Sequence, residues 1–543
     1  MKRLFVLLIA MALCLSVATG ALAEVTLSEP GEFPIVEGDV VELDVLYSVP
    51  SFITDINTNY ATQWYEEKTG VHVNWRVVSG ADYVEKLSLM LATNSKADMP
   101  DVFLGDFSRE IADAYGAQGI LLDLTDLIEK YGVNMKALKE HNPGFVDELV
   151  SYDGGIYFLS RYYETVHMRH TQKIWMNMKW LENVGMDVPT TTEEFYEVLK
   201  AFKEQDANGN GDPNDEIPMV YYTGLMNSEV PAGLMQSFVY DPGVNTPRLY
   251  VEDGTVKASY AEEGWREGLR YIKRLYDEGL VDNELFSLTM EQGKALAADP
   301  NGTRVGVVVG VYNGLFDTTS EDIFDYEVIE PLEGPTGLRQ TALEFVSPSP
   351  YFAISAYCEN PEVAYRWADA MLYDSSKDIA NGDYTWLNFW YGEQGVGWDV
   401  ADEGAVGFTG EPAAFKWLFT WGDKLNTHWY ENFLINMPEG WKPLMQAEVG
   451  EGYNMEKVLY EETVEKEAPY SVDKTLHMPS LEEDVAVEQA ALKSDLETYV
   501  KSMMASFIRG EADLDADWDR YLAELDNIGL QQYLSVYQEA LNR

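Results

Sequence analysis

The chain has 543 residues and a formal net charge of −54, from 92 acidic against 38 basic side chains. A surface this acidic repels phosphate backbones and anionic headgroups, which argues against nucleic acid or membrane-surface partners. High charge alone would also fit disorder, but 46% hydrophobic and 13% aromatic content supplies a core, and the length suggests two or three domains at about 100–200 residues each.

The opening stretch MKRLFVLLIAMALCLSVATGALAE has Lys2 and Arg3, an apolar run from Leu4 to about Val17, and small residues ending at Ala23. This three-part pattern predicts a secretory signal over residues 1–23 and an exported mature chain from Glu24. Met11 and Leu13 are poor neighbours for a lipidated Cys14, so a simple cleaved signal is the favoured reading, with tethering left open. Beyond Ala23 the only cysteine is Cys358, which leaves no internal disulfide and no thiolate cluster.

Residues 24–40 are polar and punctuated by Pro and Gly, a lead-in segment. VELDVLYSV then alternates as a strand does, TNYATQWYEEKTGV has helical spacing with a stop at Gly70, and VHVNWRVV returns to strand pattern. DYVEKLSLMLATNSKADMPDVFLGD repeats helix then strand. This rhythm predicts a layered α/β domain with a largely parallel sheet. Ligands of such sheets sit beyond the carboxyl ends of strands, which marks Tyr47 and Asp106. From about residue 153 the chain is richer in Trp, Met and Asn. Thr191 and Glu194 have capping-box spacing, and Phe195, Val198, Leu199 and Phe202 form one apolar helix face. IPMVYYTG, TRVGVVVGVY and DYEVIEPL look extended, EGWREGLRYIKRLYDEGL and NPEVAYRWADAMLY helical, and the chain from about Glu482 onward is helical and charged.

Between the Thr191 helix and IPMVYYTG lies DANGNGDPNDEIP. Counting Asp206 as position 1, the loop matches an EF-hand calcium loop at Asp206, Asn208, Asn210 and Gly211, and through the position-7 carbonyl of Asp212. It then departs: position 12 is Ile217, the acids Asp215 and Glu216 come earlier, and Pro213 lacks the N–H that pairs two EF-hand loops. The spacing therefore predicts a single structural Ca²⁺ staple held by Asp206, Asn208, Asn210, Asp212, Asp215 and Glu216. Either Asp215 or Glu216 would close it, and a metal-free Asx-rich turn is the alternative.

Aromatic clusters at Trp175 and Trp180, at Trp386 to Trp398, and at Trp417 to Trp441 could stack on sugar rings or fill a core. Trp390 and Tyr391, flanked by Asn388, Gly392, Glu393 and Gln394, carry the stronger case for a ligand. No G-x-S-x-G, H-E-x-x-H or P-loop motif occurs, and His167 and His170 read as surface or partly buried residues. Two carboxylates would suffice for glycoside hydrolysis, so an exported carbohydrate-active enzyme stays open at this point.

Several stretches resemble one family, the extracellular solute-binding proteins of bacterial carbohydrate importers. They are GEFPIV, MPDVFLGD, GILLDLTDLIEKYG, DGGIYFL, the run from Lys179 through Pro218, WYGEQGVGW and the terminal FIRGEADLDADWDRYLAELDNIGLQQYLSVYQEA. The resemblance implies two α/β lobes joined by a hinge, with the ligand trapped between them. It implies a monomeric, non-enzymatic receptor that delivers a carbohydrate to the permease subunits of an ABC importer. The expected division is residues 41–160 plus about 331–375 in one lobe, 161–330 plus about 376–480 in the other, and residues 481–543 as terminal helices of unassigned lobe. The expected cleft residues are Tyr47, Asp106, Trp175, Trp390 and Tyr391. A peptide receptor of similar architecture is a third reading.

Overall fold

The computed structural model describes residues 25–50, 53–244, 246–316, 320–344, 347–419, 424–429, 436–437, 439–448 and 454–542. The expected signal segment and Cys14 lie outside them. The lead-in folds back on itself, Thr26–Leu27 pairing with Val36–Glu37.

The first half of the chain follows its predicted rhythm. β1 (Val41–Val49) alternates buried and exposed residues and becomes fully buried from Val45 to Tyr47, where it lies between two partners. α1 (Tyr60–Thr69) starts where the Asn59 side chain accepts from Thr62 N, and stops at Gly70, whose φ of 72° is easy only for glycine. β2 (Val71–Ser79), α2 (Gly80–Thr93), β3 (Val102–Leu104) and α3 (Arg109–Ala117) follow. The chain then builds β4 (Ile174–Asn177), α4 (Thr192–Glu204), β5 (Ile217–Val220), α5 (Glu263–Asp277), β6 (Val305–Val309) and β7 (Tyr326–Val328). It returns to the first sheet with β8 (Phe352–Ile354) and α6 (Pro361–Met371), and ends in α7 (Glu483–Arg509), α8 (Trp518–Ile528) and α9 (Leu530–Leu541).

Among the described residues these strands make two four-stranded sheets, ordered β8-β3-β1-β2 and β7-β4-β6-β5. β1 runs parallel to both neighbours, whereas β8 joins β3 antiparallel. The second sheet is mixed: β6 is parallel to β5, and β4 is antiparallel to β6 and to β7. Its inner strands β4 and β6 are buried on both faces, Met176 toward one cluster and Trp175 toward another, which is why their sequences run nearly all apolar.

Each sheet anchors its own core, and the division differs from the expected one. Residues 35–162 share a core with Tyr351 through Ala447, while Ile174 through Leu332 share one with Leu476 through Tyr537. Trp386, Phe389, Trp390, Trp398, Trp429 and Trp441 thus pack in the first lobe, against Tyr65 and Trp367 among others. The short, aperiodic segments that carry them expose no face pattern from which their lobe could be read. The terminal helices α7, α8 and α9 belong to the second lobe. Among the described residues the chain therefore crosses between lobes three times: between Tyr162 and Ile174, between Ala342 and Tyr351, and between Ala447 and Leu459.

Candidate functional site

The crossings meet the sheets at matching ends. At the carboxyl end of β3, Gly105 N donates to Tyr351 O at 2.8 Å and Phe107 N to Pro350 O at 3.2 Å. Asp106 accepts from the Arg161 guanidinium at 2.7 Å, and that guanidinium lies 4.3 Å from the centre of the Tyr351 ring. Gly105 (φ 151°) allows this approach, because a Cβ there would fall 2.6 Å from Ser48 Cβ and 2.9 Å from the Tyr83 ring. At the carboxyl end of β6, Gly310 N donates to Lys173 O at 3.0 Å. Beyond β5, the Asn227 amide donates to Thr171 Oγ at 2.6 Å and to the Glu344 carboxylate at 3.1 Å. The carboxyl ends of β3, β5 and β6 therefore face one junction, where open α/β sheets hold their ligands.

The floor of this junction is a buried polar cluster. Lys173 is fully buried, with Nζ donating to His167 O at 3.1 Å and to His170 O, and it faces Glu467 and Glu344. Burial pulls the Lys173 ammonium down and pushes the Glu467 carboxyl up, each opposed by the attraction of the other. Lys442 Nζ meets Glu456 at 2.7 Å, both side chains buried. His167 and His170 are buried here as well, contrary to expectation. Burial lowers their pKa to about 3 and about 4, so both stay neutral near pH 7. His170 is held within the first crossing by Val166 O at 2.9 Å and ties it to Ser471 Oγ, beyond the third, at 2.9 Å.

The five residues expected to bind ligand fare differently. Asp106 presents an exposed side chain (62%) at the junction. Tyr47 lies beneath it, wholly buried, 5.2 Å from the Trp75 ring, with Tyr351 and Arg161 nearby. Trp175 is buried in the second lobe and donates Nε1 to Gly310 O at 3.1 Å, so it holds the end of β6. Trp390 and Tyr391 are core residues of the first lobe, with ring centres 5.4 Å and 6.0 Å from that of Trp441. Large apolar rings gain from such burial even where their sequence neighbours are hydrophilic. Sequence reasoning missed Arg161, Tyr351 and Asn313. Asn313 follows β6 as Asp106 follows β3, so the strand-end rule would have found it. It is 2% exposed and neither side-chain amide atom has a hydrogen-bond partner.

The loop between α4 and β5 is a second candidate. α4 opens with the expected Thr191–Glu194 capping box, and Asn183 Nδ2 fastens Ala207 O at 2.8 Å. Backbone donors then fold the loop inward: Gly211 N to Asp206 Oδ2 at 3.0 Å, Asn210 N to Asn208 Oδ1 at 3.0 Å, and Asp212 N to Asn210 Oδ1 at 2.8 Å. Both asparagine amides donate to Asp215, at 3.1 Å and 2.9 Å, while the Asp212 carboxylate turns away to Asn214. Three buried carboxylate oxygens have no partner: Asp206 Oδ1 and both oxygens of Glu216. Burial pushes the Glu216 carboxyl up, Asp215 adds repulsion, and the nearby Asn208 and Ala207 amides offset this only in part. Among the described residues no group of three or more His, Cys, Asp or Glu side chains forms a ready-made metal centre. An oxygen-seeking cation nevertheless fits the loop's chemistry, provided the asparagine carbonyl oxygens join the carboxylates.

A hollow of about 250 Å³ lies elsewhere, between Phe33 of the lead-in and Tyr373 and Trp386. Its polar groups are already engaged, Arg366 on Ser28 and Glu29, and Asp369 on the backbone amides of residues 133–135.

Comparison with known proteins agrees with this architecture. The fructooligosaccharide ABC transporter substrate-binding protein FusA of Streptococcus pneumoniae is 26% identical over 544 residues, covering 93% of this chain and 91% of that one. Its structure with kestose superimposes with a TM-score of 0.72 at 24% identity, covering 92% of this chain and 99% of that one. Another structure of that protein is described as an EF-hand mutant. An extracellular solute-binding protein of Bifidobacterium longum subsp. infantis superimposes with a TM-score of 0.74 at 20% identity, covering 93% of this chain and 98% of that one. The sequence profile of the bacterial extracellular solute-binding proteins matches residues 53–378, from the first turn after β1 to beyond α6, and the two-lobed chain is a member of that family.

Proposed function

We propose that the protein captures a carbohydrate, specifically an oligosaccharide, between its lobes and delivers it to the permease subunits of an ABC importer. The observation that carries this reading is the convergence of strand carboxyl ends from both lobes on one junction spanned by three crossings, in a member of a solute-binding family. The sugar is supported by relatives named for fructooligosaccharide and for polygalacturonan and rhamnogalacturonan binding. A ligand touching both lobes has its full set of contacts only when they close on it. Its binding energy therefore shifts the population toward the closed form that a permease can recognise. Asp106 with Arg161 on one wall and Asn313 on the other are the contacts we assign, since an unpaired buried amide is completed by a sugar hydroxyl. The protein acts outside the cytoplasm, as a monomer and without catalysis.

Ca²⁺ is the cation assigned to the loop, held by Asp206, Asn208, Asn210, the Asp212 carbonyl, Asp215 and Glu216. Its contribution is structural, joining α4 to β5.

A thermal-shift screen over mono- and oligosaccharides, followed by analysis of the sugar recovered, tests the reading. Stabilisation by an oligosaccharide that is returned intact is expected. Shorter sugars released from it would make the protein a hydrolase, and stabilisation by peptides alone would make it a peptide receptor.

A further inference from the structure

After the third crossing, Ser471–Val472 pairs with Thr341–Ala342, and the chain runs extended to Glu482 before α7 begins. This strap is fastened to the second lobe: Val251 N donates to Lys474 O at 2.9 Å, Leu476 is buried in the second core, and Met478 packs on its margin. His477, between them, points the other way, as extended backbone dictates. The His477 ring meets the Glu148 carboxylate of the first lobe. Ser480 Oγ donates to Asp113 at 2.7 Å and accepts from Tyr152 N at 3.0 Å. Arg109 of α3 braces these partners, reaching Asp113 at 3.2 Å, Glu148 O, and Val150 O at 2.8 Å. α7 packs against α3 beside the strap, and Glu110 of α3 faces Tyr537 of α9. The strap thus links two bodies that solute capture requires to move relative to each other.

We infer that the strap from Asp473 to Glu482 is a pH-sensitive latch between the lobes, engaged while the His477 imidazolium sits on Glu148. The charged groups facing His477 are Glu148 from the first lobe and Asp473 from the strap itself, with Asp113 and Arg109 behind Glu148. The hydrogen bond to Glu148 raises the imidazole pKa, and burial opposes it less strongly. The latch is therefore complete below the ordinary histidine range and lost as pH rises through the raised value. Deprotonation leaves the Glu148 carboxylate, 10% exposed and with Oε2 already unpartnered, without its cation.

The inference concerns the ligand-free protein, so its test does not depend on which solute binds. Spin labels at Glu85→Cys in the first lobe and Glu197→Cys in the second, in the exported chain carrying Cys358→Ser, report the interlobe distance by pulsed electron resonance. A narrow distribution is expected at about pH 5.5 and a broader one at about pH 8.5, either side of the histidine range. H477Q and E148Q should each give the broad distribution at both pH values. A distribution that ignores pH, or a pH response that survives in both variants, overturns the latch.

Discussion

Two of the regions in which carboxylates are buried treat them in opposite ways. At the crossings Glu456 sits on Lys442, and Glu467 and Glu344 face Lys173, so the charges are compensated within the protein. In the loop after α4, neither oxygen of Glu216 nor Oδ1 of Asp206 is hydrogen-bonded, and nearby backbone amides offset the burial of Glu216 only in part. Burying an ion costs several kcal/mol unless a partner offsets it. The crossings thus compensate their charges internally, and the loop is one that the proposed Ca²⁺ would complete. Asn313 is an uncharged version of the loop's condition, a buried amide beyond β6 with neither atom hydrogen-bonded.

The sharpest way to break the contrast is at the compensated end. Lys442→Met leaves Glu456 buried without its partner and should destabilise the fold by about 3–5 kcal/mol in denaturant titration, with K442M/E456L recovering most of the loss. Next comes the loop. Ca²⁺ at about one hundred times its Kd should add about 2.7 kcal/mol to the wild type, read as a rise in Tm over chelator-treated protein. Glu216→Gln should abolish that gain. In chelator the sign follows from the raised Glu216 pKa: wild-type stability should increase as pH falls through it, and the increment should be absent from the variant. The smallest effect is at Asn313. N313A should weaken sugar binding in calorimetry by about 1–3 kcal/mol while leaving unliganded stability equal or higher, because an unsatisfied group has been removed. A variant that loses both together would place Asn313 in the scaffold instead.

The loop and α4 were legible because their information is local. A capping box, four apolar helix positions and an Asp-x-Asn-x-Asn-Gly run act within a few residues, and the structure repeats them nearly position for position. β1, α1, β2 and β3 were legible for the same reason, each being a periodic segment next to its partner. The junction was less legible. The strand-end rule marked Asp106, which the structure places beside Arg161, but Arg161, Glu344 and Tyr351 take their places only through the crossings, whose course no periodicity encodes. Aromatic density did not reveal that Trp175, Trp390 and Tyr391 are buried, because a ring suited to a sugar face is equally suited to a core, and polar neighbours in sequence need not be neighbours in space.

The interleaved course of the chain has a consequence for how the protein is made. The first lobe contains β1 through α3 but also Phe415, Trp429 and Trp441, so synthesis must pass residue 441 before that core has all its pieces. The second lobe, meanwhile, waits for α7, α8 and α9. Neither half can fold to completion as the chain emerges, so both should finish nearly together, late and from distant segments, the condition under which folding is slow and exposed to aggregation. A negative charge as large as −54 keeps such incomplete chains apart.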